Sequence, residues 1–151
     1  MNVTFCGNRH INEPDKIIKW LNDVLPVLID SGANKFYLGN YGDFDYLAAL
    51  ALKFQKRVHK NINSILVLAY PEKKFELSLY DQVVYPPIED FEETEPIQPG
   101  QEIIKCNQFM ISKSDIVISG VIRNVGKPAQ TLAYAQKQNK VILQYPFYTI
   151  M

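Results

Sequence analysis

Cysteine and histidine are both scarce in this chain of 151 residues. Its two cysteines, Cys6 and Cys106, cannot form the dense disulfide framework of a small secreted domain. Neither cysteine has a metal-ligand spacing around it, and the two histidines, His10 and His59, are isolated. We therefore predict reduced, buried thiols, no metal site and no cofactor.

The chain also lacks an excess of charge, with 16 basic and 16 acidic side chains. General DNA or RNA binders usually carry a basic surplus, so we expect nucleic acid to be an unlikely partner. No apolar stretch approaches the ~20 residues that span a bilayer, and no signal-peptide pattern opens the chain. The expectation is a cytoplasmic protein with no membrane partner.

Short apolar runs alternate with helical patterns along the chain. The strand-like runs cover residues 3–6, 36–38, 64–69, 115–119 and 141–143, and the helical patterns cover 14–31, 43–56, 101–112 and 128–138. Such alternation predicts an α/β fold, with an open parallel sheet of about five strands and helices on both faces. We expect one domain over residues 1–151. Pro26 is expected to kink or divide the first helix.

Residues 70–100 interrupt the alternation. This segment holds five of the nine prolines and an acidic run over 89–93. A long loop inside a compact domain is often functional, although a solvated surface excursion would look the same. We expect one additional short strand or helix within it.

Glycine-containing turns follow three of the predicted strands. The first is Gly7-Asn8-Arg9, the second runs from Gly39 to Gly42, and the third begins at Gly126. Because the carboxyl ends of parallel strands face one crevice, these turns should meet at one nucleotide- or phosphate-sized pocket. Glycine there lets backbone N–H groups approach a ligand.

Each turn also has an ordinary structural interpretation. Arg9 could hold a phosphate or simply be exposed, and Asp43 could cap a helix while Asp45 is solvated. Asn107 and Met110 could face the pocket together or belong to a packed helix. The predicted site comprises Gly7, Asn8, Arg9, Gly39, Asn40, Gly42, Asp43, Asp45, Asn107, Gly126, Lys127 and Thr131.

Known catalytic and phosphate-binding signatures are missing from the chain. No Gly-x-Gly-x-x-Gly and no Gly-x-x-x-x-Gly-Lys-Ser/Thr pattern occurs, and no nucleophile–base pair is visible. Asp43 and Asp45 would face different directions on a helix and make a poor acid–base dyad. We therefore predict no catalytic residue.

Taken together, the turns resemble the SMF/DprA–LOG (SLOG) superfamily, a Rossmann-like group, and most closely its small single-domain bacterial and phage members. Residues 36–45 follow the pattern Phe-Tyr-x-Gly-Asn-x-Gly-x-Phe-Asp, and 106–115 follow Arg-Asn-x-x-Met-Ile-x-x-Ser-Asp except at Cys106. Residues 131–135 follow Thr-x-x-Tyr-Ala, after a Gly-Gly-Ala-type turn in which Lys127 replaces the second glycine. The resemblance spans most of the chain and implies a nucleotide-derived ligand.

One departure from the family pattern bears on chemistry. Enzymatic LOG members, which cleave the N-glycosidic bond of nucleoside monophosphates, use Gly-Gly-x-Gly-Thr-x-x-Glu. If Thr131 matches that threonine, the glutamate position is Tyr134. Glycosidic cleavage needs a carboxylate, so its loss favours sensing or sequestering over hydrolysis.

Three functions stay open at this point. The first is binding of a nucleotide or nucleotide-derived small molecule, with Arg9 and Lys127 on a phosphate and Asp43 or Asp45 on a ribose hydroxyl or base. The second is a nucleotide N-glycosidase or phosphoribohydrolase whose acid is Asp43, Asp45 or Glu89. The third is DprA-like binding of single-stranded DNA. We also expect self-association, as a homodimer, because the aromatic tail would otherwise expose apolar surface.

Overall fold

The computed structural model describes residues 1–69, 77–86, 101–123 and 125–145. In chain order the elements are β1 (Asn2–Gly7), α1 (Pro14–Asp30), β2 (Lys35–Leu38), α2 (Asp43–Lys56), β3 (Asn63–Val67), a single 3₁₀ turn (Leu77–Leu79), β4 (Gln82–Val84), α3 (Gln101–Ser112), β5 (Ile116–Gly120), α4 (Gly126–Lys137) and β6 (Val141–Gln144). None of the helices in these ranges is long and apolar enough to cross a membrane.

The strands form one parallel sheet in the order β4-β3-β2-β1-β5-β6. The chain builds outward from β1 to β4, then returns to the other side of β1 with β5 and β6. The strand order therefore reverses between β1 and β5. In open α/β sheets, the crevice outside the carboxyl ends of the strands at such a point is the usual place for a ligand.

Helices cover both faces of the sheet, as the alternating pattern predicts. On one face α1 packs against α2, and their buried side chains share a core with Phe36 and Leu38 of β2. On the other face α3 packs against α4, with Met110 and Ile111 buried against the sheet. The α/β expectation with a parallel sheet is confirmed, with six strands where about five were expected.

The sixth strand comes from the proline-rich segment. Both β4 and the 3₁₀ turn lie within residues 70–100, so the expected additional element is confirmed. Residues 70–76 and 87–100, which include the acidic run over 89–93, lie outside the described residues.

Pro26 does not divide α1. The helix runs from Pro14 to Asp30 with Pro26 inside it. Leu21, Leu25 and Leu28 lie on either side of the proline and are all buried in the core. Their burial holds both halves of the helix on the sheet, although a proline removes one backbone hydrogen bond.

Two aspartates fix neighbouring strands at the amino-terminal edge of the sheet. The Asp115 N–H donates to the Asn2 carbonyl at 2.8 Å, and the Asn2 N–H donates to Asp115 Oδ2 at 2.9 Å. Asp81 makes the same pair of bonds with Ser64, at 3.0 and 2.9 Å. We call this two-bond arrangement an aspartate clamp.

Tyr145, the last described residue, returns to the domain. Its N–H donates to the Ser119 carbonyl at 2.9 Å, and its ring lies 5.2 Å from that of Trp20, centroid to centroid. Residues 146–151, the rest of the aromatic tail, lie outside the described residues, so self-association through the tail stays a prediction.

Candidate functional site

A cleft of about 370 Å³ opens at the carboxyl ends of β1 and β2. Its walls come from the turns after these strands, from α3, and from the first turn of α4. The predicted site residues that line it are Gly7, Arg9, Asn40, Gly42, Asp43, Asp45, Asn107, Lys127 and Thr131. Asn8, Gly39 and Gly126 do not line it.

Sequence reasoning missed several lining residues. His10 and Tyr41 lie within the predicted turns, next to residues that the prediction includes. Ile103 lies four residues before Asn107 on α3, so helical periodicity could have placed it on the same face. Phe5, Cys6 and Pro128 complete the wall.

Gly7 is required by packing inside the protein. A Cβ built on Gly7 would lie 2.3 Å from Cγ of Phe44, and one on Gly120 would lie 2.3 Å from the same ring. Phe44 is buried, and its ring fills the space that the two glycines leave between β1 and β5. Gly7 thus seats the first turn of α2 against the sheet while its backbone lines the cleft.

Asp43 forms a third aspartate clamp. Its N–H donates to the Arg9 carbonyl at 2.8 Å, and its Oδ2 accepts the Ile11 N–H at 2.9 Å. The alternative in which Asp43 caps α2 does not hold, because the N-cap is Gly42 and no side-chain cap hydrogen bond is made there. Gly42 has no room for a side chain, since its Cβ would lie 2.7 Å from Cα of Arg9.

Asn8 connects two loops and does not reach the cleft. Its Oδ1 accepts the N–H groups of Ile122 and Arg123 at 2.6 and 3.0 Å, and its Nδ2 donates to the Arg123 carbonyl at 3.1 Å. Asn8 is buried. It therefore holds the turn after β1 against the loop after β5, where the strand order reverses.

Asp45 is the carboxylate that the fold directs into the cleft. Its Oδ2 accepts the Tyr41 N–H at 3.2 Å. Burial raises the pKa of Asp45 to about 6, and the Tyr41 hydrogen bond opposes that rise. Gly39 makes room for this carboxylate, because a Cβ there would lie 3.1 Å from Asp45 Oδ2.

The opposite wall combines α3 with the start of α4. Asn107 Nδ2 donates to Thr131 Oγ1 at 3.1 Å, and Thr131 Oγ1 donates to the Lys127 carbonyl at 3.0 Å. The N-cap of α4 is Val125, which cannot accept a hydrogen bond through its side chain. The first N–H groups of α4 therefore have no side-chain cap, and such groups attract anions.

Two predicted features of this wall have other roles. Met110 is buried in the core beside Cys106 and Ile65, so of the two alternatives for this residue the packed helix holds. Gly126 has a φ of +72°, the left-handed region in which glycine is favoured, and it allows the sharp entry into α4.

Cys6 lies in the wall of the cleft, but its thiol is a poor nucleophile. Burial raises the pKa of its thiol to about 12, a hydrogen bond with Ser119 opposes that rise, and the Asp45 charge adds to it. The nucleophile is the thiolate, which is scarce at such a pKa. Within the part of the chain that the structure describes, no three His, Cys, Asp or Glu side chains lie together as metal ligands would.

The sheet order and the position of the cleft define a Rossmann-like α/β protein with a polar cleft beside the strand reversal. Two solved structures of DNA processing protein A (DprA) have a similar fold. The Helicobacter pylori protein, whose structure was described for its single-stranded DNA binding mode, has a TM-score of 0.61 at 15% identity. The Streptococcus pneumoniae protein has a TM-score of 0.64 at 14% identity.

A third similar structure is that of the protein TM1055, with a TM-score of 0.58 at 13% identity over 93% of this chain and 71% of that one. The two DprA alignments cover 95% of this chain but only 64% and 49% of the DprA chains. This chain thus spans 64% of the length of one DprA chain and 49% of the other, less than two thirds of each. No protein-family model and no curated protein matches the sequence.

These similarities show a shared fold. Structures at this level of identity show the fold alone, so the expectation that nucleic acid is an unlikely partner stays a prediction.

Proposed function

We propose that the cleft binds a nucleotide or nucleotide-derived small molecule and does not cleave it. One observation carries the proposal. A half-buried carboxylate, Asp45, and the start of α4, which has no side-chain cap, line the same cleft beside the strand reversal. A nucleotide offers the matching pair of groups, since its phosphate suits the helix start and its ribose hydroxyls suit the carboxylate.

The hydrogen bonds of Asp43 and Asp45 support different ligand roles for these two aspartates, which sequence reasoning left open. Asp43 Oδ2 already accepts the Ile11 N–H, so we assign the ribose hydroxyl or base amino group to Asp45. We assign the phosphate to Lys127 and Arg9, which line the same cleft. Asn107 and Thr131 fix the wall between them.

Binding without hydrolysis is supported by the residues that would have to react. If Thr131 matches the threonine of the glycosidase pattern, Tyr134 stands in place of the glutamate, and the Cys6 thiol is held protonated. The raised pKa of Asp45 suits this carboxyl to proton exchange near neutral pH, so among the cleft carboxylates it is the acid that the competing hydrolase hypothesis would use.

The test is calorimetric titration of the purified chain with the four ribonucleoside 5′-monophosphates, followed by analysis of the mixtures for free base and ribose 5-phosphate. We expect saturable binding and no products. Arg9→Ala should weaken binding by roughly 1.5–3 kcal/mol if it makes charged hydrogen bonds. Asp45→Ala and Lys127→Ala should also weaken it.

Matched controls lie at the far end of the molecule. Arg57 follows α2, and Lys137 is in the last turn of α4, the helix whose first turn contains Lys127. Arg57→Ala and Lys137→Ala should therefore leave affinity unchanged. Unchanged affinity in both Arg9→Ala and Asp45→Ala, in folded protein, would remove this site, and release of base would replace the binding proposal with the hydrolase.

Single-stranded DNA is the second candidate ligand, favoured by the similarity to DprA structures. A gel-shift titration with unlabelled nucleotide as competitor separates the two candidates. DNA binding that nucleotide does not displace would favour a DNA-binding surface elsewhere on the chain.

A further inference from the structure

The cleft has polar groups on opposite sides of β1. Asp45 lies against the end of β2, since its Oδ2 atom is 3.1 Å from the position of a Cβ built on Gly39. The start of α4, with Lys127, follows β5. Strands β2 and β5 are two spacings apart in the sheet, roughly 10 Å. A nucleotide has its phosphate at one end and its base at the other, so a phosphate at Lys127 brings the base nearest to Asp45.

Apolar side chains contribute to the same cleft and suit the faces of a base. Phe5, Ile103 and Pro128 all line it. Phe5 is buried, and Ile103 and Pro128 are half-buried. Apolar walls with a few convergent polar groups are the usual composition of a small-molecule site, in which the polar groups fix orientation and specificity. The edge of the base is therefore left to the polar groups of the cleft.

The carboxylate of Asp45 can accept two hydrogen bonds from a ligand. Within the part of the chain that the structure describes, the Tyr41 N–H is the one donor to it, 3.2 Å from Oδ2. Each carboxylate oxygen has two lone pairs, so Oδ1 is available and Oδ2 can accept one more bond. With a pKa of about 6, the group is mostly ionised at pH 7.5. Asp45 then presents two acceptors side by side and no donor.

The common bases differ in what they present to such a pair of acceptors. Guanine has two adjacent donors, N1–H and N2–H. Adenine and cytosine each have a ring-nitrogen acceptor beside the amino group, and uracil has a carbonyl on each side of its N–H. An acceptor placed against a carboxylate is repelled and loses its water without compensation. Guanine is therefore the base whose edge matches Asp45.

We propose that the cleft binds a guanine nucleotide, with Asp45 accepting N1–H and N2–H of the base while Lys127 and Arg9 hold the phosphate. This inference rests on the proposed function and names the base that the ligand carries. It also decides between the two ligand groups that the proposed function leaves to Asp45, since it assigns the base and not the ribose. Asp45 is thereby the residue that determines specificity.

The first test is calorimetric titration of the full chain at pH 7.5 with guanosine, inosine and adenosine 5′-monophosphates. Inosine differs from guanosine only in lacking the 2-amino group. Its monophosphate should therefore bind at least about tenfold more weakly, the effect of one hydrogen bond to a charged group. The adenosine compound should bind at least about 100-fold more weakly, because it leaves the carboxylate unpaired.

Asp45→Asn provides a second test, because it replaces one acceptor with a donor. Xanthine has N1–H beside a carbonyl oxygen, so its edge matches an amide. We expect the variant to bind guanosine 5′-monophosphate at least about tenfold more weakly than the parent does and to prefer xanthosine 5′-monophosphate. A gain for xanthosine cannot come from a damaged fold. Asp23→Asn, the same change at an exposed position of α1, should leave the base preference within about twofold of the parent.

The outcomes separate this inference from the proposal beneath it. Equal affinity for the guanosine and inosine compounds, or an Asp45→Asn protein that still prefers guanosine, overturns the guanine assignment and leaves nucleotide binding in place. Weaker binding of 2′-deoxyguanosine 5′-monophosphate, with no difference between guanosine and inosine, places Asp45 on the ribose and also overturns it. Failure of every nucleotide to bind removes the proposed function itself.

Discussion

The two edges of the sheet use the same residue, aspartate, in different ways. At the amino-terminal edge, Asp81 and Asp115 each form a two-bond clamp with the neighbouring strand. At the carboxyl-terminal edge, Asp43 repeats that clamp, but Asp45 accepts one backbone N–H and is otherwise directed into the cleft. Three of these four aspartates thus hold backbone segments together by hydrogen bonds, whereas burial raises the pKa of the fourth, Asp45.

The difference shows where the fold leaves polar groups available. At the amino-terminal edge, the clamps supply hydrogen-bond partners to backbone groups where the strands begin, so these groups are not available to a ligand. At the other edge, α1, α2 and α4 all begin without a side-chain cap. An edge with uncapped helix starts and one partly buried carboxylate suits the ligand that we propose for the cleft.

The largest effect should come from the glycine that seats Phe44. Gly7→Ala would bring a Cβ to 2.3 Å from that ring, so we expect a loss of about 3 kcal/mol in the free energy of unfolding. Gly126→Ala is the control: nothing but Pro128 Cδ, at 3.8 Å, lies near its Cβ, and only the left-handed backbone opposes it, by about 1 kcal/mol. Urea unfolding measures both; a fully stable Gly7→Ala protein would contradict the packing role.

A clamp aspartate should have the next largest effect. Asp115→Ala removes the acceptor of the Asn2 N–H between β1 and β5, and we expect it to destabilise the protein by about 2 kcal/mol. Asp23→Ala, at an exposed position of α1, should stay within about 0.5 kcal/mol of the parent. Equal unfolding midpoints for the two variants would show that the clamp contributes nothing.

Asp45→Asn should have the smallest effect and the opposite sign. Because the pKa of Asp45 rises from 3.8 to about 6 on folding, the folded state holds this proton more tightly, and stability falls as pH rises between these values. Asparagine cannot ionise, so the variant should gain about 1 kcal/mol at pH 7.5, after allowance for solvent screening of a half-buried group.

The sign of this prediction is checked by pH. The stability gain of Asp45→Asn over the parent should shrink as pH falls and be mostly lost by about pH 4. Asp43→Asn is the matched control, because it weakens a clamp and should destabilise the protein at both pH values. A destabilised Asp45→Asn protein at pH 7.5 would mean that the Asp45 carboxylate stabilises the fold, as the clamp aspartates do.

Local pattern in the sequence was enough to determine the α/β class, the succession of helices and strands, and which turns lie at the cleft. Periodicities of two and 3.6 residues are set by each segment's own backbone, and a parallel sheet brings the turns after its strands to one edge. Arg9, Asn107 and Lys127 were therefore placed in the cleft wall from sequence alone.

Only the tertiary structure decided what each polar or small residue does at that edge. Asn8 accepts a hydrogen bond from a loop 115 positions away, and Gly7 leaves the space that the Phe44 ring fills. Asp43 holds the turn after β1 through the Ile11 N–H, whereas Asp45 accepts one N–H and lines the cleft. The physical reason is that each role depends on a contacting group that the order of the strands brings close. The local conformational propensity of an aspartate or a glycine is the same whether that group is a backbone N–H, an aromatic ring or a ligand.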